Sequence, residues 1–176
     1  MGDFTALSNY KINNDYYTPK SAWEQINHLI PKDKIVWEAF LLNSHLSKSV
    51  ANLKSLNVNV VANPEWDYFE KCNELEYDLI VSNPPFDKKI KIPILKKLVQ
   101  LDKPFILIMN VCNVFAHYFN DIFKDHRQHL QIVYPKCKIH FEMLKDGKSE
   151  LKKNTSFYCV YVCFKMNIAN DKLYLD

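Results

Sequence analysis

The sequence predicts an α/β fold, a mostly parallel sheet with an antiparallel C-terminal hairpin. Three features carry that expectation. Short β-branched, apolar runs alternate with stretches of helical spacing between residues 34 and 109. The runs are nearly continuous in apolar character, as strands covered on both faces are. After residue 130 the helical spacing disappears, and strand-like runs flank the turn signal Asp146-Gly147.

Each element has a local reason. Residues 34–37 read as a buried strand, and 47–56 as a helix with Ser47 as its cap. A second strand is expected over 58–62. A polar stretch then leads to the run 77–81, which Asn83-Pro84-Pro85 stops, because proline has no N–H for the ladder. The spacing of Ile94, Leu95, Leu98, Val99 and Leu101 predicts a helix over 92–101, ended by Lys103-Pro104 before the strand 105–109. Strands joined by helices of this length imply right-handed crossovers, with ligands held at the carboxyl ends of the strands. The runs 132–134, 139–143 and 157–164 are expected to form the hairpin that closes the sheet.

At 176 residues and 48% hydrophobic, the chain suits a single domain over 16–176, preceded by a flexible polar segment over 1–15. No apolar run approaches the roughly 20 residues of a membrane helix, and residues 1–15 lack a signal peptide's basic-then-apolar pattern. A soluble, cytoplasmic protein with no membrane partner is therefore expected. The five cysteines are an odd number in mixed surroundings, which argues for thiols in a reducing compartment. Cys137, His140, Cys159 and Cys163 could be drawn as a zinc set. Cys159 and Cys163 would stand roughly 13 Å apart along one strand, however, too far for one tetrahedral ion, so no metal is expected. The net charge of +3 matters less than where the lysines crowd. Only two glycines occur, Gly2 and Gly147, so a ligand loop must manage without them.

The segment that points to chemistry is Ser82-Asn83-Pro84-Pro85-Phe86, directly after an apolar run. It resembles motif IV of the N6-adenine (amino) methyltransferases, in which Asn, Asp or Ser precedes Pro-Pro and an aromatic residue. Further stretches agree in order and spacing. Asn14-Asp15-Tyr16-Tyr17-Thr18-Pro19 with Trp23 resembles the amino-terminal motif X, Trp37-Glu38-Ala39-Phe40 the start of motif I, and Asp67-Tyr68-Phe69 the Asp-Phe-Phe element. The compact arrangement is most similar to phage and large-virus members, which would put the protein in a host cytoplasm or a virion.

The resemblance implies a Rossmann-like class I methyltransferase fold, S-adenosylmethionine as cofactor, and transfer of its methyl group to the exocyclic amino group of an adenine in DNA or RNA. Asn83 and the Pro84 carbonyl would accept the two amino hydrogens and draw the nitrogen toward tetrahedral geometry. Pro84 and Pro85 would hold those acceptors rigid, and Phe86 would stack on the base. Tyr16, Tyr17, Thr18, Pro19, Glu38, Phe40, Asn43, Asn63, Asp67 and Tyr68 are the residues expected around the cofactor. Lys88, Lys89 and Lys91, with Lys148, Lys152 and Lys153 on the hairpin, would neutralise phosphates. After Phe40 the family runs through Gly-x-Gly; this chain reads Leu41-Leu42-Asn43-Ser44-His45. Two other readings follow: a nucleic-acid-binding methyltransferase-like subunit that has lost activity, and a protein-glutamine amide methyltransferase with the same pocket. The chain has no room for a separate recognition domain, so target choice would come from loops, a partner subunit or a homodimer.

Overall fold

The computed structural model describes residues 16–41, 46–63, 65–145, 148–151 and 157–170, with the backbone alone at 16, 46–47, 143–145 and 148–151. The alternation expected between residues 34 and 109 is realised. Strands β2 (Ile35–Trp37), β3 (Asn59–Val61), β4 (Leu79–Ser82) and β5 (Phe105–Asn110) pair in parallel. Two later strands, β6 (Leu130–Val133) and β9 (Cys159–Phe164), complete a six-stranded sheet of order β3-β2-β4-β5-β9-β6. Because β9 is antiparallel to both of its neighbours, it alone runs against the other strands. The sheet is therefore Rossmann-like and mostly parallel, with one reversed strand near its edge.

Successive residues of each strand feed opposite faces. Val36, Leu79, Val81, Ile106, Ile108 and Tyr161 join Trp23, Ile26 and Leu53 on one side, under α1 (Lys20–Ile26) and α2 (Leu46–Lys54). Trp37, Ile80, Phe105, Leu107, Val160 and Val162 join Ile94, Leu98, Phe119 and Phe123 on the other. That side is covered by α3 (Tyr68–Lys71), α4 (Lys88–Leu101) and α6 (His117–Phe123), the last preceded by the short α5 (Val111–Val114). Burial on both faces explains why these strands read as unbroken apolar runs.

The structure corrects three expectations. Helix α4 begins at Lys88, before residue 92, because Asp87 caps it through a hydrogen bond from the Lys89 N–H; Pro93 lies inside the helix. Among the described residues helix α2 already includes Leu46, so Ser47 lies inside the helix and is not its cap. The hairpin around residues 146–147 forms, but away from the main sheet. Strands β7 (Glu142–Lys145) and β8 (Lys148–Leu151) pair with each other and, through β7, with β1 (Tyr16–Tyr17) in a separate three-stranded sheet. Of the runs expected to close the main sheet, 132–134 and 157–164 do so as β6 and β9.

Scarcity of glycine leaves a signature in the backbone. Left-handed conformations occur at Asn57 (φ 59°), Asp102 (φ 55°), Lys165 (φ 52°) and Asn167 (φ 52°), so three of these four positions use the short polar side chains that tolerate this region best.

Candidate active site

The carboxyl ends of β2 and β4 converge on Glu38, the first residue beyond β2. Its N–H donates to the Val61 carbonyl at 3.2 Å, which holds the chain in line with β3 before it turns away. The side chain is 3% exposed, and its carboxylate accepts hydrogen bonds from the Ser82 hydroxyl at the end of β4 and, at 2.8 Å, from the Ser49 hydroxyl on α2. Ser82 Oγ in turn accepts from the Phe40 N–H at 3.3 Å, so one hydroxyl joins the exits of two strands. Burial pushes the Glu38 carboxyl up to about 7, against the opposing pull of the two serine hydrogen bonds. Among the described residues no cation pairs with it.

One residue after Ser82, Asn83 donates from Nδ2 to Thr18 Oγ1 at 3.2 Å. Its Oδ1 is buried and has no hydrogen-bond partner. A buried acceptor left in this state costs roughly 1–3 kcal/mol, and its lone pairs are available to a further donor. Thr18 is itself 6% exposed, and its carbonyl accepts from Asn52 Nδ2 on α2 at 3.5 Å.

Tyr17, Thr18, Glu38, Phe40, Leu41, Ser49 and Asn83 line one cavity of about 40 Å³. The fold thus gathers expected residues from three separate stretches of sequence at the carboxyl end of the sheet. Pro84 is buried and Pro85 half-buried behind Asn83. Phe86 is 37% exposed, with its ring 6.2 Å from that of Phe141 and 5.9 Å from that of Phe157, so two neighbouring rings fix its orientation.

Other expected residues serve different ends. Asn63 Oδ1 accepts from the Glu65 N–H at 2.9 Å, closing a local turn. Asp67 Oδ1 accepts from the Phe69 and Glu70 N–H groups at 2.8 and 3.1 Å, which makes it the cap of α3. Tyr68 is 1% exposed and packs in the core against Trp37 and Phe40 at ring distances of 5.6 and 5.0 Å. Pro19 precedes α1 and is buried; Tyr16 pairs by its backbone with Met143. Asn43, Lys152 and Lys153 lie outside the described residues, as does the side chain of Lys148.

Among the lysines, Lys88 and Lys89 are exposed at the start of α4, as a phosphate contact requires. Lys91 is a correction. It is 4% exposed, and its Nζ donates to Asn113 Oδ1 at 3.2 Å, an oxygen that also accepts from the Tyr118 hydroxyl. One helical turn separates an exposed residue 88 from an inward residue 91, and burial holds the Lys91 amine below its usual range.

Sequence reasoning did not anticipate Ser49 or the bridging role of Ser82. Ser82 had a signal, its place immediately before Asn83, whereas nothing in the sequence marks Ser49. Cys159 and Cys163 are buried thiols pushed up to about 12 by desolvation. No group of three or more His, Cys, Asp or Glu side chains among the described residues could hold a metal ion. No helix among them is long and apolar enough to cross a membrane.

No family model matches the chain, and neither does any curated protein. Among solved structures it is similar to a precorrin-6y C5,15-methyltransferase from Geobacter metallireducens, with 10% identity and a TM-score of 0.46 over 82% of this chain and 86% of that one. A SAM-dependent O-methyltransferase from Thermotoga maritima gives 9% and 0.45 over 90% of this chain and 69% of that one. A precorrin 8w decarboxylase from Methanobacterium thermoautotrophicum gives 11% and 0.44 over 82% and 87%. Identities this low speak to neither residues nor substrate.

Proposed function

We propose that the protein transfers a methyl group from S-adenosylmethionine to the exocyclic amino group of an adenine in nucleic acid. The observation that carries this reading is the unpartnered, buried Asn83 Oδ1 beside two rigid prolines. A ring-conjugated amino group is a weak nucleophile until acceptors take its hydrogens. Asn83 Oδ1 accepts one and the Pro84 carbonyl the other, while Phe86 stacks on the ring. The nitrogen lone pair would then form the new bond to the methyl carbon as the donor's carbon–sulfur bond breaks and its electron pair returns to sulfur, leaving a neutral thioether, and the nitrogen's surplus proton would pass to water.

The donor supplies an activated methyl group on a sulfonium. Its ammonium would meet Glu38, a buried carboxyl that no cation pairs with among the described residues, with Tyr17 and Thr18 lining the same cavity. Lys88 and Lys89 face the phosphates of the substrate.

A second reading, a nucleic-acid-binding subunit that has lost the donor, is favoured by one observation. The cavity at Glu38, about 40 Å³, is much smaller than the donor, and Asn63 and Asp67, both expected around the cofactor, are engaged by the backbone. Calorimetric titration with S-adenosylmethionine separates the two, because the enzyme binds it and the subunit gives no heat. A radiolabelled methyl-transfer assay on DNA and RNA then tests the reaction itself. Label appearing in adenine with the intact chain and vanishing in Asn83→Ala is the expected result; equal labelling by both rejects the proposed pocket.

A further inference from the structure

Every large hydrophobic side chain exposed among the described residues lies at one edge of the main sheet. Phe86 follows β4, Phe115 follows β5 and α5, Tyr134 follows β6, and Tyr158 precedes β9, with exposures of 37, 79, 43 and 61%. The register makes this one edge. The start of β9 at Cys159 pairs with Asn110 at the end of β5, and β6 runs parallel to β5, so all four segments emerge on the side of Asn83. The Val111 N–H donates to the Tyr158 carbonyl at 2.8 Å, which ties the segment leading to Phe115 to the one carrying Tyr158.

The same segments are basic. Lys88, Lys89, Lys136 and Lys138 lie within or beside these segments in the chain, and Lys138 Nζ lies 4.5 Å from the centre of the Tyr158 ring. Asp87 is the one carboxylate in residues 83–91, 110–118, 134–141 and 157–158, and its Oδ1 accepts from the Lys89 N–H to cap α4. Four aromatic side chains with no aliphatic among them, interleaved with cations, suit a ligand with flat faces and negative charge.

We infer that this rim is a stacking platform for an unpaired nucleic-acid strand, on which Phe115 and Tyr158 receive the bases flanking the one held at Asn83. This deepens the proposed function and rests on its nucleic-acid substrate. Rings at a rim can cover only base faces that are not already stacked within a duplex. An unpaired strand also presents its amino groups without the cost of flipping a base out of a helix.

The test is fluorescence anisotropy with the full chain and a labelled A-rich 16-nucleotide strand, as DNA and as RNA, against the matching duplexes. Single strands are expected to bind at least tenfold more tightly than duplexes. Phe115→Ala and Tyr158→Ala are each expected to weaken single-strand binding by about tenfold, with duplex binding and the melting temperature unchanged. Lys88→Gln with Lys89→Gln is expected to flatten the log–log salt dependence by roughly 0.7 per lysine. Equal affinity for duplex and single strand overturns the inference. So do alanine variants that bind like the unmodified chain, or self-association that Phe115→Ala abolishes in a protein that binds no strand. If free adenosine is methylated while no strand binds, the platform falls and methyl transfer stands. Ring-dependent strand binding without methyl transfer leaves the platform standing and rejects the enzyme.

Discussion

The exits of β4 and β3 differ in how their polar side chains are used, although each carries an asparagine just past a strand. At the β4 exit, Asn83 is anchored by its nitrogen to Thr18, and its buried oxygen meets nothing. At the β3 exit, the Asn63 oxygen is taken by the Glu65 N–H, and nearby the Asp67 carboxylate is taken by two N–H groups of α3. The prolines make the difference. Beyond Asn83 the next two residues have no N–H to offer, so no local turn can claim its side chain. A side chain becomes available to a ligand when its neighbours leave it unpaired, and the β3 exit lacks that condition.

The largest effect that would break this contrast is on turnover. Asn83→Ala is expected to lower methyl transfer by about 10²- to 10³-fold, the range for loss of one preorganised polar partner, with no loss of melting temperature. Activity within twofold of the original would mean that the free oxygen has no chemical role.

Next comes the carboxylate that shares the β4 exit. Its folded-state value of about 7 lies above the ordinary 4.5, so the neutral form is favoured by folding. Stability is then full below the ordinary value and declines as pH rises toward 7. The intact chain should lose about 2.5 kcal/mol relative to Glu38→Gln between pH 5 and pH 8, read from denaturant unfolding. Parallel stabilities at both pH values would show that Glu38 is not desolvated in solution.

The β3 exit supplies the smaller effects. Asp67→Ala should cost about 1 kcal/mol through loss of the α3 cap, while calorimetric affinity for S-adenosylmethionine stays the same. A large fall in affinity would make the β3 exit part of the site after all. Thr18→Val removes the acceptor for Asn83 Nδ2 and is expected to slow turnover by only a few-fold, because Pro84 and Pro85 still fix the backbone; an effect as large as that of Asn83→Ala would shift the positioning role to Thr18.

Much of the fold was legible because its causes are local. Apolar runs over 34–37, 58–62, 77–81 and 105–109 became β2 to β5: β4 and β5, buried almost throughout, are nearly unbroken apolar runs, while the edge strand β3 exposes Asn59. Element starts were less legible where punctuation conflicted. Apolar spacing placed the start of α4 at residue 92, whereas the Asp87 cap sets it a turn earlier, at Lys88, in a lysine-rich stretch where that spacing is weak. The hairpin at 146–147 was visible as a turn, but its partner β1 lies more than a hundred residues away, and no local pattern records such a pairing.

By itself the sequence determined the strand order along the chain, the rigid bend after Ser82 and the identity of the residues that could serve a site there. Only the tertiary structure decided which of them do. It brought Thr18, Glu38 and Ser49 to Asn83 and turned Lys91 inward to Asn113. The reason is physical: composition and spacing state what a side chain can bond, whereas the packing of distant strands and helices determines whether that bond has already been made.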